Sequence, residues 1–375
     1  MKFIISLALL FFVYGSFIPT LTTAQALHPS DDPHKYKSNF DGIGPSVYIL
    51  PPPKTEEELV TEQYAIKKQN QHQIDSLLTN LNFKKELKKI HTSPSFLKDS
   101  LRSANEEAQL IALLDHYKNE INESYYADWQ NNLAIFYLLA GETNKASVLL
   151  LESLKTKERL GSIEDQLLVL NNLALLEIKA GNNIQALSLY DQLLEQAKKT
   201  RNINNQAKVY VAIAKLEARS GNFSTAHNLI IKNCMPLLQK SKNYSGIVIA
   251  LNDLASFKEM QEKDTEAKWI YLQAVDVART HNDEKGLAIS FYNLAQLKNR
   301  IGDENLSIAD FKASKDLAIK NEMEDLLVEI HDGLGDAYLK LNEYKAAALA
   351  LNEYQSLKTN LLNQYLDSVT GNSEK

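Results

Sequence analysis

Asn131-Asn132-Leu133-Ala134 returns 40 residues later as Asn171-Asn172-Leu173-Ala174. Further copies stand at Val211-Ala212-Ile213-Ala214, Asn252-Asp253-Leu254-Ala255, Tyr292-Asn293-Leu294-Ala295 and Asp332-Gly333-Leu334-Gly335. Five steps join these six copies, four of 40 residues and one of 41. A fixed period in this range marks an array of stacked supersecondary units, because one such unit cannot bury its apolar face alone.

Each copy carries the same internal grammar. A small residue follows thirteen positions after the first apolar residue of the pair, as in Leu133/Ala146, Leu173/Ala186, Ile213/Ala226, Leu254/Ala267, Leu294/Ser307 and Leu334/Ala347. Between the two, Gly141, Gly181, Gly221 and Gly302 fall eight residues after the first position. Glycine there stops a helix by taking the left-handed conformation without a Cβ penalty. Glu262 and Asn342 take that place in units four and six. Downstream apolar residues recur at helical spacing, for example Ala186, Leu189, Tyr190, Leu193 and Leu194. Each unit therefore reads as an antiparallel helix pair closed by small residues. The fold class is all-α: an α/α superhelical solenoid of about six helix-turn-helix repeats spanning 123–362. Pro236 falls within the second helix of unit three and predicts a kink or an early stop there.

The motif Leu334-Gly335-Asp336-Ala337-Tyr338, with Leu133-Ala134-Ile135-Phe136-Tyr137 close to it, resembles the tetratricopeptide repeat. The early Trp and late Pro of that family are missing, and the period is 40 rather than about 34. The longer period resembles the subclass found in kinesin light chains and bacterial peptide-sensing regulators. The closing segment Tyr354 to Leu362 resembles the end of repeat arrays in exported sensor proteins of the Bacteroidetes, which implies here an array without an output domain.

The segments before the array have a different character. Lys2, the apolar run Phe3 to Tyr14 and Ala24-Gln25-Ala26 read as a secretory signal peptide over 1–26. Residues 27–55 form a Pro-rich linker with Pro29, Pro33, Pro45, Pro51, Pro52 and Pro53. Residues 56–122 read as an N-terminal helical cap for the array, and 363–375 as a polar tail. The expected location is export to the periplasm or the extracellular space, without a lipobox cysteine and without membrane insertion once the signal is removed. Cys234 is the single cysteine, so no intramolecular disulfide forms; its apolar neighbours mark it as a small buried hydrophobe.

The 375 residues are 44% hydrophobic and 23% charged with a net charge of -6, and the charges are interspersed. Nucleic acid is excluded as an expected partner, since its binding needs concentrated Lys and Arg. No His-Glu-x-x-His, Gly-x-Ser-x-Gly, phosphate-cradling glycine loop or paired-cysteine motif occurs. The expectation is a non-enzyme with no catalytic residue, no metal and no cofactor.

In the resembled family, ligands lie along the concave groove lined by the first helix of each unit. That implies a groove of Asn131, Asn132, Ile135 and Leu139 in unit one, with Asp128 beside them, and Asn171, Asn172 and Leu175 in unit two. Unit three adds Lys208, Lys215 and Arg219, unit four Asn252 and Asp253, unit five Asn293, Gln296 and Arg300, and unit six Asp336. Asn132, Asn172 and Asn293 share one register with Asp253. A carboxamide can hold the backbone of a bound peptide without reading its sequence. The same side chain can instead bond within its own helix or to the next repeat. Unit three is basic and unit six (Glu329, Asp332, Asp336) is acidic, which fits either a bipolar ligand or ordinary solvated faces. The expected function is a protein- or peptide-binding scaffold of the cell envelope. The alternative is a structural subunit, or a stand-alone sensor array, that meets its partners by the convex face or the N-terminal arm.

Overall fold

Small residues and left-handed turns produce the expected helix pairs. The computed structural model describes residues 53–88, 122–139 and 141–370. The signal segment 1–26, nearly all of the linker, residues 89–121 of the cap and the last five residues lie outside the described residues. Among those described, a long helix α1 (Glu56–Glu86) precedes the array. The units then run α2 (Glu123–Leu139) with α3 (Thr143–Leu160), and α4 (Ile163–Lys179) with α5 (Asn183–Lys199). In unit three, α6 (Ile203–Arg219) pairs with α7 (Phe223–Asn228), a π-turn (Leu229–Cys234) and α8 (Met235–Lys240). The last three units are α9 (Tyr244–Glu259) with α10 (Asp264–Thr280), α11 (Glu284–Ile301) with α12 (Glu304–Lys320), and α13 (Glu324–Lys340) with α14 (Tyr344–Thr370). α14 runs past residue 362 into the expected polar tail.

The turn inside each unit is left-handed in all six copies. Gly141, Gly181, Gly221 and Gly302 have φ of 83°, 81°, 82° and 90°, and Glu262 and Asn342 adopt 60° and 59°. The amide after the turn reaches back five residues, as Asn182 N–H does to Glu177 O at 2.8 Å, which satisfies a helix-end carbonyl. Three of the first helices start from capping side chains. Asn202, Asn243 and Asp283 each accept the N–H three residues on. Ala134, Ala146, Ala174, Ala186, Ala214, Ala226, Ala255 and Ala267 are wholly buried, so the two helices of a pair approach closely.

Successive first helices also touch, as α6 does α9, α9 does α11 and α11 does α13. No comparable contact joins successive second helices among the described residues. The first helices therefore form the inner, concave wall.

Unit three departs from the pattern. Its second helix begins after Asn222 and the next first helix after Asn243, a separation of 21 residues, against 20 from Asn182 to Asn202. This is the origin of the single 41-residue step. The extra residue is taken up in the π-turn, whose wider ring closes from Met235 N–H to Ile230 O. Pro236 follows immediately, where a missing N–H is tolerated, and the helix goes on to Lys240. Of the kink or early stop expected at Pro236, the stop does not occur; the helix carries a π-turn just before the proline. Cys234 sits in that turn fully buried, donating to Ala207 O at 3.5 Å; burial, followed by the Asp253 charge, pushes its thiol up to about 12.

Candidate functional site

The concave wall is not empty. α1 lies across it, meeting unit six with its N-terminal part and units one and two with its C-terminal end. The end cap expected over 56–122 is therefore, for residues 56–88, a segment reaching both ends of the array. Such a placement joins residues far apart in sequence, which no local periodicity encodes.

At units one and two the contact is made by amides. The Asn172 Nδ2 donates to Lys88 O at 2.9 Å, and the Lys88 N–H donates to Asn172 Oδ1 at 2.8 Å. A second donor to Lys88 O is Asn131 Nδ2, at 3.1 Å. The remaining protons are used as well: Asn172 Nδ2 donates to Asn131 Oδ1 at 2.9 Å, and Asn131 Nδ2 to Asn132 Oδ1 at 3.2 Å. All four amide protons of the two buried asparagines are thereby satisfied, and both lone pairs of one carbonyl are engaged. Only backbone is read, since the Lys88 side chain is exposed. Just before it, Leu87 is buried in one apolar cluster with Ile135, Leu138 and Leu175, and Leu139 and Phe83 pack against that cluster. Lys179 stands 4.6 Å over the Phe83 ring and donates to Leu138 O at 3.0 Å.

At unit six the contact is made by charge and an aromatic ring. Lys67 pairs with Asp332 and, at 3.1 Å, with Asp336. The Tyr64 hydroxyl donates to Ala347 O at 2.9 Å. Burial first, then the Asp336 and Asp332 charges, raise its pKa, so the phenol stays protonated and keeps donating. Val60 and Tyr64 are buried with Val328, Leu351 and Tyr354. Gly335 makes room for this ring: a Cβ there would lie 2.0 Å from the Tyr64 hydroxyl. The other five units carry Ala134, Ala174, Ala214, Ala255 and Ala295 at the same place.

The remaining sequence-expected residues divide. Asn252 is buried and bonds inside the wall, donating to Val248 O at 3.0 Å and Ser290 Oγ at 2.8 Å, and Asn293 donates to Asn252 Oδ1 at 3.1 Å. Units four and five thus follow the repeat-to-repeat alternative for these asparagines. Lys215 pairs with Asp253 at 3.1 Å. Gln296 donates to the Tyr292 hydroxyl at 2.9 Å, and Arg300 bridges Glu259 at 2.9 Å and Asp264 at 2.7 Å. Lys208 and Arg219 are exposed on unit three, and Asn171 is half-buried. Asp128 does not face the groove: it is fully buried and paired with Lys157, which also meets Asp165 at 2.8 Å. The sequence reading missed Tyr64, Lys67, Leu87 and Lys88. The spacing of Val60, Tyr64 and Lys67 on one helix face was the available signal.

Residues 165–230 match the family model of the tetratricopeptide repeat. The six units form a tetratricopeptide-like solenoid. The array is similar to BtubC (BKLC) from P. vanneervenii, with a TM-score of 0.50 and 17% identity over 58% of this chain and 92% of that one. It is also similar to the apo form of RapI, with a TM-score of 0.48 and 13% identity over 68% of this chain and 91% of that one. No curated protein matches the chain by sequence. Among the described residues, no group of three or more His, Cys, Asp or Glu could hold a metal ion, and no helix is long and apolar enough to cross a membrane.

Proposed function

We propose that the array is a non-enzymatic scaffold of the cell envelope that holds a protein segment against its concave wall. The observation that carries this reading is the clamp on Lys88, in which two asparagines hold both backbone groups of a residue outside the repeats. A wall that grips backbone in this way accepts segments of varied sequence, with specificity coming from the flanking apolar and charged contacts. The envelope location rests on the signal segment and is read out by the N-terminus of the mature protein, expected at Leu27.

Crosslinking in the native host, followed by affinity purification, tests the groove. A partner captured by the wild type and lost in the Asn131→Ala/Asn172→Ala variant supports it. Equal capture by both, with the variant folded, moves the interface elsewhere. A second reading, assembly through the convex face, is favoured by the outer residues Val148, Trp269 and Leu349. They repeat at the second position after the small core residue and are 57%, 65% and 67% exposed. In that case charged substitutions at these three positions remove the partner, and the asparagine variant does not.

A further inference from the structure

We propose that residues 56–88 are a self-ligand: they hold in cis the place a partner takes, and the partner is a protein segment of the same chemistry. That chemistry is a helix with an aromatic hydroxyl and a lysine three residues apart near its N-terminal end. At its C-terminal end it carries an apolar residue followed by any residue with a free backbone N–H. The inference rests on the groove reading above and adds the occupant, its direction and its regulation.

Three observations carry it. First, the described side chains of the N-terminal part of α1 bury only a narrow stripe. Between Glu56 and Gln69 only Val60 and Tyr64 are buried and Lys67 half-buried; the other residues are exposed, Leu59 and Ile66 at 47% each. An integral helix of the array buries a broader face, as α4 does with Leu167, Leu170, Leu173, Ala174 and Leu176. Second, the clamp on Lys88 addresses only backbone, so the wall has no stake in which chain supplies it. Third, unit six is shaped for the incoming ring, with glycine at the one place where the other units have alanine and a Cβ would meet Tyr64.

The direction follows from the two ends. The N-terminus of the bound segment lies at unit six, where two aspartates await a base, and its C-terminus leaves at units one and two. The 31 residues of α1 span roughly 46 Å at 1.5 Å per residue, which sets the length a partner must cover.

The test uses the whole chain and a fluorescent synthetic peptide of residues 56–88. The release variant Tyr64→Ala/Lys67→Ala alters only α1 and leaves the wall intact. The peptide is expected to bind the release variant at least about tenfold more tightly than the wild type, because the cis occupant no longer competes. Amide exchange should show residues 60–67 protected in the wild type and open in the variant, with 83–88 opened less and α2 to α13 unchanged. Adding Gly335→Ala to the release variant should weaken the peptide again by about tenfold, since the new Cβ excludes the ring. Equal peptide affinity for wild type and release variant, or no binding to a folded release variant, overturns the proposal. So does a dimer of the wild type in which a second copy supplies α1. If the peptide fails while the asparagine-dependent partner of the previous section persists, the groove reading stands and only the self-ligand is lost.

Discussion

The two ends of the concave wall hold the same helix by opposite means. Units one and two use neutral carboxamides on backbone groups, with Leu87 in an apolar pocket. Unit six uses a lysine against two aspartates and a phenol fitted over a glycine. The amide end is tolerant of sequence, since every residue except proline offers the same N–H and C=O. The charged end is selective, since only a base relieves the mutual repulsion of Asp332 and Asp336. A single segment is thus gripped by a general contact and identified by a specific one.

The largest expected effect is at the charged end. Lys67→Glu sets a carboxylate beside two aspartates and should cost about 3 kcal/mol of α1 docking, the low end for a buried pair because Asp336 is half exposed. Amide exchange of 60–67 should then quicken by about a hundredfold, while 83–88 responds less. If both stretches open equally, the two ends are one cooperative contact and the comparison fails. Next comes the amide end. Asn172→Ala leaves the Lys88 N–H and Asn131 Oδ1 without the partners they have now, and should cost about 2 kcal/mol, read in the exchange of Leu87 and Lys88. Smaller again is Lys88→Pro, which removes one donor and should cost about 1 kcal/mol. Lys88→Ala at the same position should stay within about 0.5 kcal/mol. A large effect of the alanine would show that the side chain, not the backbone, is recognised. The smallest effect is that of salt. Raising ionic strength from 0.1 M to 1 M shortens the screening length from about 10 Å to about 3 Å. Protection at 60–67 should fall by less than about 1 kcal/mol, and protection at 83–88 should not move.

What was legible in the sequence was local. The Leu-Ala pairs, the small residue thirteen positions on and the glycine between them fix the helix pairs, because each acts within one unit. The turns between units left almost no signal: Arg201, Lys242, Asn282 and Glu322 adopt φ of 54°, 52°, 55° and 54° where only Gly161 announces a left-handed residue. The asparagine register was visible, yet one residue type does two jobs. Asn172 faces a chain that happens to pass, whereas Asn252 has Ser290 beside it and is satisfied inside the wall. Asp128 was misplaced because a helix face seen alone does not reveal that Lys157 is buried behind it. The occupant was out of reach, since Tyr64 and Ala347 lie 283 residues apart.

The π-turn in unit three has a bearing on all of this. A residue inserted into an unbroken α-helix swings everything beyond it by about 100° and 1.5 Å. Leu229–Cys234 instead stores the surplus in a widened loop of the outer layer. The inner helices still meet across this step: α6 touches α9, and Lys215 pairs with Asp253 at 3.1 Å. The outer helix behaves as an expansion joint, so a length change on the outside of the coil does not alter the pitch of the thread within.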